Sequence, residues 1–89
     1  MPTLSFTTNL RRHVGAPTCS VDGETVRDCL AAAFTLHPAL EGYVVDEHGA
    51  LRPHMAIFVN DQPIIDRRTL TDSVAAGDAL FVAQALSGG

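Results

Sequence analysis

Residues 79–86 read Ala79-Leu80-Phe81-Val82-Ala83-Gln84-Ala85-Leu86, a run that is apolar except for Gln84 and passes directly into Ser87-Gly88-Gly89. It reads as a long last strand, opened by the turn Ala76-Gly77-Asp78. Side chains on a strand alternate between two faces, which separates Leu80 and Val82 from Phe81, Ala83 and Ala85. We place Leu80 and Val82 in the core and Phe81, Ala83 and Ala85 outside. The opposite register, with Phe81 inside and Leu80 outside, is the alternative. Ile57 on the neighbouring strand is expected to join Phe81 in an exposed apolar patch of the kind that marks protein contacts.

Working back from this strand, Met55-Ala56-Ile57-Phe58-Val59 is apolar throughout, as in a strand covered on both sides. Asn60-Asp61-Gln62 turns it back, and Pro63-Ile64-Ile65 is a short return segment. Leu70 to Val74 has room for a single helical turn. Further upstream, Gly42-Tyr43-Val44-Val45 reads as a strand entry. Asp46-Glu47-His48-Gly49 reads as a turn with Gly49 at positive φ, and His48 is positioned to pair with Asp46 or Glu47.

The N-terminal half holds the most secure element. Val26, Cys29, Leu30, Ala33, Phe34 and His37 follow the spacing of one apolar helix face. Thr25 is the N-cap, with Asp28 in a variant of the capping box. Pro38 ends the helix, because the residue before proline avoids helical angles. Thr3-Leu4-Ser5-Phe6-Thr7 and Thr18-Cys19-Ser20-Val21 alternate as strands and suggest a hairpin whose loop holds Arg11, Arg12, His13 and Gly15. The resulting order, β-β-α-β-β-turn-β, describes an α+β domain: a mixed sheet with one helix packed across one face. The first and last strands are the candidates for a parallel central pair.

Eighty-nine residues make one domain, and 46% apolar composition suits a folded one. So short a chain supports one modest core and leaves little room for a deep catalytic cleft. No apolar run approaches a membrane span, and Met1-Pro2-Thr3-Leu4-Ser5-Phe6 lacks the charged and apolar regions of a signal peptide, so the cytoplasm is expected. A net charge of −4 with no basic stripe makes nucleic acid an unsuited partner. Cys19 and Cys29 read as small buried hydrophobes. His13, His37, His48 and His54 show no ligand spacing, so no metal site is expected. Arg11, Arg12, Arg67 and Arg68 read as solvated charge. All six basic residues are arginine; the chain has no lysine on which to build side-chain-linked polymers of itself.

Phe58-Val59-Asn60-Asp61-Gln62-Pro63-Ile64, with asparagine at the corner, and Gly77-Asp78-Ala79-Leu80-Phe81-Val82 leading to Gly88-Gly89 together resemble the ubiquitin-like β-grasp sulfur carriers. That family contains the molybdopterin synthase small subunit and the thiamine-biosynthesis sulfur carrier. Thr25-Val26-Arg27-Asp28-Cys29-Leu30 is similar to the family's helix start. The resemblance spans almost the whole chain. It implies a β-grasp domain over residues 1–86, with four to five strands and one main helix, and a flexible tail over 87–89.

The resemblance also implies a mechanism. A ubiquitin-activating-enzyme-like partner would use ATP to adenylate the Gly89 carboxylate. A persulfide-bearing sulfur donor would replace AMP, leaving a thiocarboxylate, and a sulfur-accepting biosynthetic enzyme would consume it. The carrier itself would be no enzyme and would bind no cofactor. The chemistry suits the residues: a free carboxylate is a poor electrophile until converted to a mixed anhydride, and Gly88 and Gly89, lacking Cβ, can thread a narrow channel. Leu86 to Gly89 spans roughly 13 Å when extended, and with nothing following Gly89 no protease would be needed. Two alternatives stand beside the carrier: a ubiquitin-like modifier conjugated through Gly89, and a non-covalent β-grasp interaction domain.

Overall fold

The computed structural model describes residues 1–7 and 18–84. The expectations for Arg11, Arg12, His13 and Gly15, and for Ala85, Ser87, Gly88 and Gly89, lie outside the described residues. In chain order the elements are strand β1 (Thr3–Phe6), strand β2 (Thr18–Ser20), helix α1 (Val26–Leu36), a 3-10 turn (Pro38–Leu40), the one-turn helix α2 (Glu41–Val44), and strands β3 (Met55–Val59), β4 (Gln62–Pro63) and β5 (Ala79–Gln84). The described strands form one five-stranded sheet in the order β2-β1-β5-β3-β4. β1 and β5 are the parallel pair, with Leu4 beside Leu80 and Phe6 beside Val82; the other neighbours are antiparallel. A parallel pair needs a crossover, and α1 lies within it.

α1 starts where the sequence places it. The Thr25 Oγ1 accepts the Asp28 N–H at 3.1 Å. The two preceding amides also find partners: Val26 donates to the Asp72 carbonyl at 3.0 Å and Arg27 to the Leu70 carbonyl at 2.8 Å. The first-turn N–H groups, which an isolated helix leaves unpaired, are thus closed by Thr25 and by the segment before β5. Val26, Cys29, Leu30 and Ala33 are buried, meeting Leu4, Phe6, Ile57, Leu80 and Val82 from the inner sheet face in a single core. Phe34 packs at its margin. Gly23 sits so close under α1 that a Cβ there would lie 2.8 Å from both Asp28 Cβ and Cys29 N.

Two local readings are corrected. Gly42 to Val44 are not a strand entry: residues 41–44 form α2, continuing the turn begun at Pro38, and only Val45 of that stretch is extended, bridging Leu51. Leu40 and Val44, one helical turn apart, are both fully buried, and that pair outweighs the β-propensity of Tyr43 and Val44. Leu70 to Val74 is not a helical turn either. The Asp66 carboxylate accepts the backbone N–H of Arg68, Thr69 and Thr71 and both threonine hydroxyls. Asp72 accepts the N–H of Ile65 and Asp66. These bonds hold the segment as an irregular loop, with Leu70 at φ 59° and its side chain buried. The turn at 46–49 is as expected: Gly49 has φ 83°, Asp46 accepts the His48 N–H at 2.8 Å, and His48 Nε2 stands 3.5 Å from Glu47.

Candidate functional site

β5 is the middle strand of the sheet and leads toward Gly88-Gly89. Its setting is built by the two motifs that carried the resemblance, which touch each other. Asn60 and Asp61, at φ 50° and 69°, form the two-residue corner between β3 and β4, a geometry asparagine and aspartate tolerate better than other residues with a Cβ. From that corner Asn60 Nδ2 donates to Asp78 Oδ1 at 2.7 Å. Asn60 Oδ1 accepts the Ala79 N–H at 3.0 Å, and the Asn60 N–H donates to the Ala79 carbonyl at 2.8 Å. The other Asp78 oxygen accepts the Ala75 N–H at 2.8 Å. These bonds favour the ionised carboxyl and hold the Asp78 pKa below the usual carboxylate range, the Ala75 bond contributing most.

Leu80 and Val82 are buried while Phe81 is 39% exposed, which settles the register of β5. The expected partnership of Phe81 with Ile57 is overturned. Ile57 is only 1% exposed and faces the core; its partner across the sheet is Val82, and Phe58 stands opposite Phe81. β3 is apolar on both faces, so its composition carries no alternation from which to read inside and outside. The Asn60–Ala79 alignment was the signal that could have found Phe58: counting back from Asn60 and forward from Ala79 brings Phe58 beside Phe81. Ala56 pairs with Ala83 in the next outward position, and Ser5 flanks Phe81 on its other side.

At the end of β5 this outer face deepens into a shallow depression of about 600 Å³ lined by Ala56, Phe58, Ala83, Gln84, His54 and Arg67 together with Pro53 and Met55. Arg67 is fixed there: its Nη2 donates to the carbonyls of Met55 at 2.6 Å and Arg52 at 3.1 Å. The arrangement is an apolar stripe with a basic rim at the root of the C-terminal segment. It is suited to holding a partner and contains no paired acid and base. Of the expected patch, Phe81 and Ala83 lie on this face and Ile57 does not; Phe58, Ala56, His54 and Arg67 are additions. Among the described residues, no group of histidines, cysteines or carboxylates is placed to hold a metal ion, and no helix is long and apolar enough to cross a membrane. Cys19 and Cys29 are free thiols whose pKa values burial pushes up.

A parallel β1–β5 pair, hairpin partners at both sides and one helix across a single face define a ubiquitin-like β-grasp domain. The same architecture is found over full length in solved structures. Small archaeal modifier protein 1 from Haloferax volcanii is 33% identical, with a TM-score of 0.82 over 99% of this chain and 98% of that one. A chain of the Amycolatopsis orientalis BexX/CysO complex is 28% identical, with a TM-score of 0.88 and complete coverage of both. Mycobacterium tuberculosis CysO is 25% identical, with a TM-score of 0.85 over 97% of this chain and all of that one. Comparison with protein-family models and with curated proteins gives no match. The chain belongs to the family of β-grasp sulfur carriers and ubiquitin-like small modifiers.

Proposed function

We propose that this protein is a sulfur carrier that works through the carboxylate of Gly89. An ATP-dependent, ubiquitin-activating-enzyme-like partner adenylates that carboxylate and releases pyrophosphate. A persulfide on a sulfur-donor protein attacks the adenylate carbonyl and AMP departs. Reduction of the resulting acyl disulfide by a thiol leaves a thiocarboxylate, which a biosynthetic enzyme uses as its sulfur source. The observation that carries this reading is the full-length likeness to small archaeal modifier protein 1 and to the CysO structures. The outer face around Phe81, Phe58 and Ala83 is the docking surface, because an apolar stripe beside the tail lets a partner hold the domain while the tail enters its site.

Conjugation to protein amines is the second reading, favoured by the modifier name of the 33%-identical relative. Both share the activation step and diverge at the acceptor. The test is intact-mass analysis with a thiol-specific label after incubation with ATP, a sulfur donor and host extract, comparing wild type with a chain lacking Gly88 and Gly89. Thiocarboxylate formation and methionine oxidation change the mass almost equally, so the label decides. Tail-dependent labelling supports the carrier. Tail-dependent conjugates without labelling support the modifier. Neither, in an extract that activates another carrier, leaves a non-covalent interaction domain.

A further inference from the structure

The chain carries a net charge of −4, yet no carboxylate lines the depression at the end of β5, and His54 and Arg67 form part of its wall. Arg67 is held at both ends. Its own carbonyl accepts the Leu51 N–H at 2.9 Å. Its Nη2 donates to the carbonyls of Arg52 and Met55. Those two residues close a turn, the Met55 N–H donating to the Arg52 carbonyl at 2.9 Å, and the turn carries Pro53 and His54. Both Nη2 protons are therefore spent on fastening it. Among the described residues, Arg67 Nε and Nη1 donate to nothing, and no carboxylate stands within ion-pair distance of Arg67. The guanidinium is thus an oriented cation with unused donors, beside a floor formed by Ala56, Phe58 and Ala83.

We propose that Arg67 is the point at which this face recognises its partner, taking an aspartate or glutamate carboxylate that stands next to an apolar side chain seated on Phe58 and Ala83. This rests on the outer face being a docking surface, and not on the chemistry of Gly89. A guanidinium already held in place gives up little freedom on pairing, and its charge-assisted hydrogen bonds are stronger than those between neutral groups. One fixed cation over an apolar floor matches a singly charged carboxylate on a carbon stem. A phosphate dianion on the same floor would leave most of its oxygens without donors. The net negative charge of the chain adds selectivity, because it repels acidic segments wherever Arg67 does not outweigh it.

The test is an NMR titration of the full, isotope-labelled chain with two blocked tripeptide amides, leucine–glutamate–phenylalanine and leucine–glutamine–phenylalanine, which differ by one charge. The glutamate peptide is expected to shift the backbone amide signals of Ala56, Phe58 and Ala83 and the Arg67 Nε–H signal. It should bind about two- to five-fold tighter than the glutamine peptide, the range for a partly exposed ion pair. Net charge alone predicts the reverse order, since the added negative charge meets a chain of −4. Arg67→Gln should erase or reverse the preference, whereas Arg67→Lys, which keeps the charge without the planar fork, should retain the greater part of it. A residue that only fastened the turn at 52–55 would lose the preference in both variants. Equal binding of the two peptides, shifts elsewhere on the chain, a preference that survives Arg67→Gln, or no binding of either peptide would each overturn the proposal. The carrier reading is decided separately, by the tail-dependent label.

Discussion

Asn60 and Asp78, 18 residues apart in sequence, are joined by a 2.7 Å hydrogen bond that fastens the β3–β4 corner to the start of β5. Through it the corner sets which residues of β3 lie beside those of β5, and so which side chains share the outer face with Phe81. Asn60 contributes twice, by its side-chain bonds and by accepting φ 50°. Asn60→Gly keeps the backbone and loses the bonds, whereas Asn60→Ala loses both. The left-handed conformation costs alanine roughly 1 kcal/mol relative to glycine. The expected order of melting temperature is wild type above Asn60→Gly above Asn60→Ala, measured by circular dichroism.

Stability should fall in acid. Hydrogen bonds hold the pKa of Asp66 (chiefly those from Thr69), Asp46 (chiefly that from Ala50) and Asp78 (chiefly that from Ala75) below the ordinary value. A carboxyl whose folded pKa is depressed stabilises the fold above its unfolded pKa, about 3.9 for aspartate, and loses that contribution as pH falls toward the folded value. Thermal melts from neutral pH into acid should therefore be flat down to about pH 5 and decline below about pH 4. Asp66→Asn should be less stable at neutral pH and show a shallower acid decline. An unchanged acid slope would deny Asp66 this role.

The two faces of β5 should separate folding from docking. Leu80→Ala and Ile57→Ala remove buried side chains and should each cost about 2–5 kcal/mol in urea unfolding. Phe81→Ala should leave the unfolding midpoint close to wild type and weaken binding to the activating enzyme by about tenfold or more, as expected for an aromatic anchor. Calorimetric titration of the enzyme with each variant checks the division.

Gly23→Ala tests the closeness of the loop to α1. The new methyl meets Asp28 Cβ and the Cys29 backbone nitrogen at 2.8 Å, and neither is the free end of a flexible side chain. The first turn of α1 must shift, at a cost of about 1–3 kcal/mol typical of overpacking. The urea midpoint measures it, and because Gly23 lies on the helix side of the sheet, partner binding by the folded fraction should be unchanged.

Much of the architecture was legible because its signals are local. Thr25, the apolar spacing from Val26 to Ala33 and Pro38 mark α1 at both ends, since capping and i, i+4 burial depend on neighbours within one or two turns. The apolar run from Ala79 to Ala83, opened by the turn at Gly77-Asp78, marks β5 for the same reason. Local signals failed at Tyr43-Val44, where β-formers were drawn into α2 by the burial of Leu40 and Val44. They failed again at residues 66–74, where the Asp66 and Asp72 carboxylates bind backbone amides in place of a helical ladder. Of the expected outer face, Phe81 and Ala83 were legible from the register assigned to β5, and the wrong member of β3, Ile57, was assigned to it.

The sequence by itself determined which residues form α1 and β5, and that no lysine stands on the surface, because each follows from residue identity and short-range patterning; of the two registers it left open for β5, the structure buries Leu80 and Val82. Only the tertiary structure decided that Phe58 and not Ile57 lies beside Phe81, and that Arg67 and His54 line the depression with them. The offset between two strands is a property of the hydrogen-bonded pair. Here it is set by Asn60 reaching Asp78 and Ala79 across a fold that neither strand encodes alone.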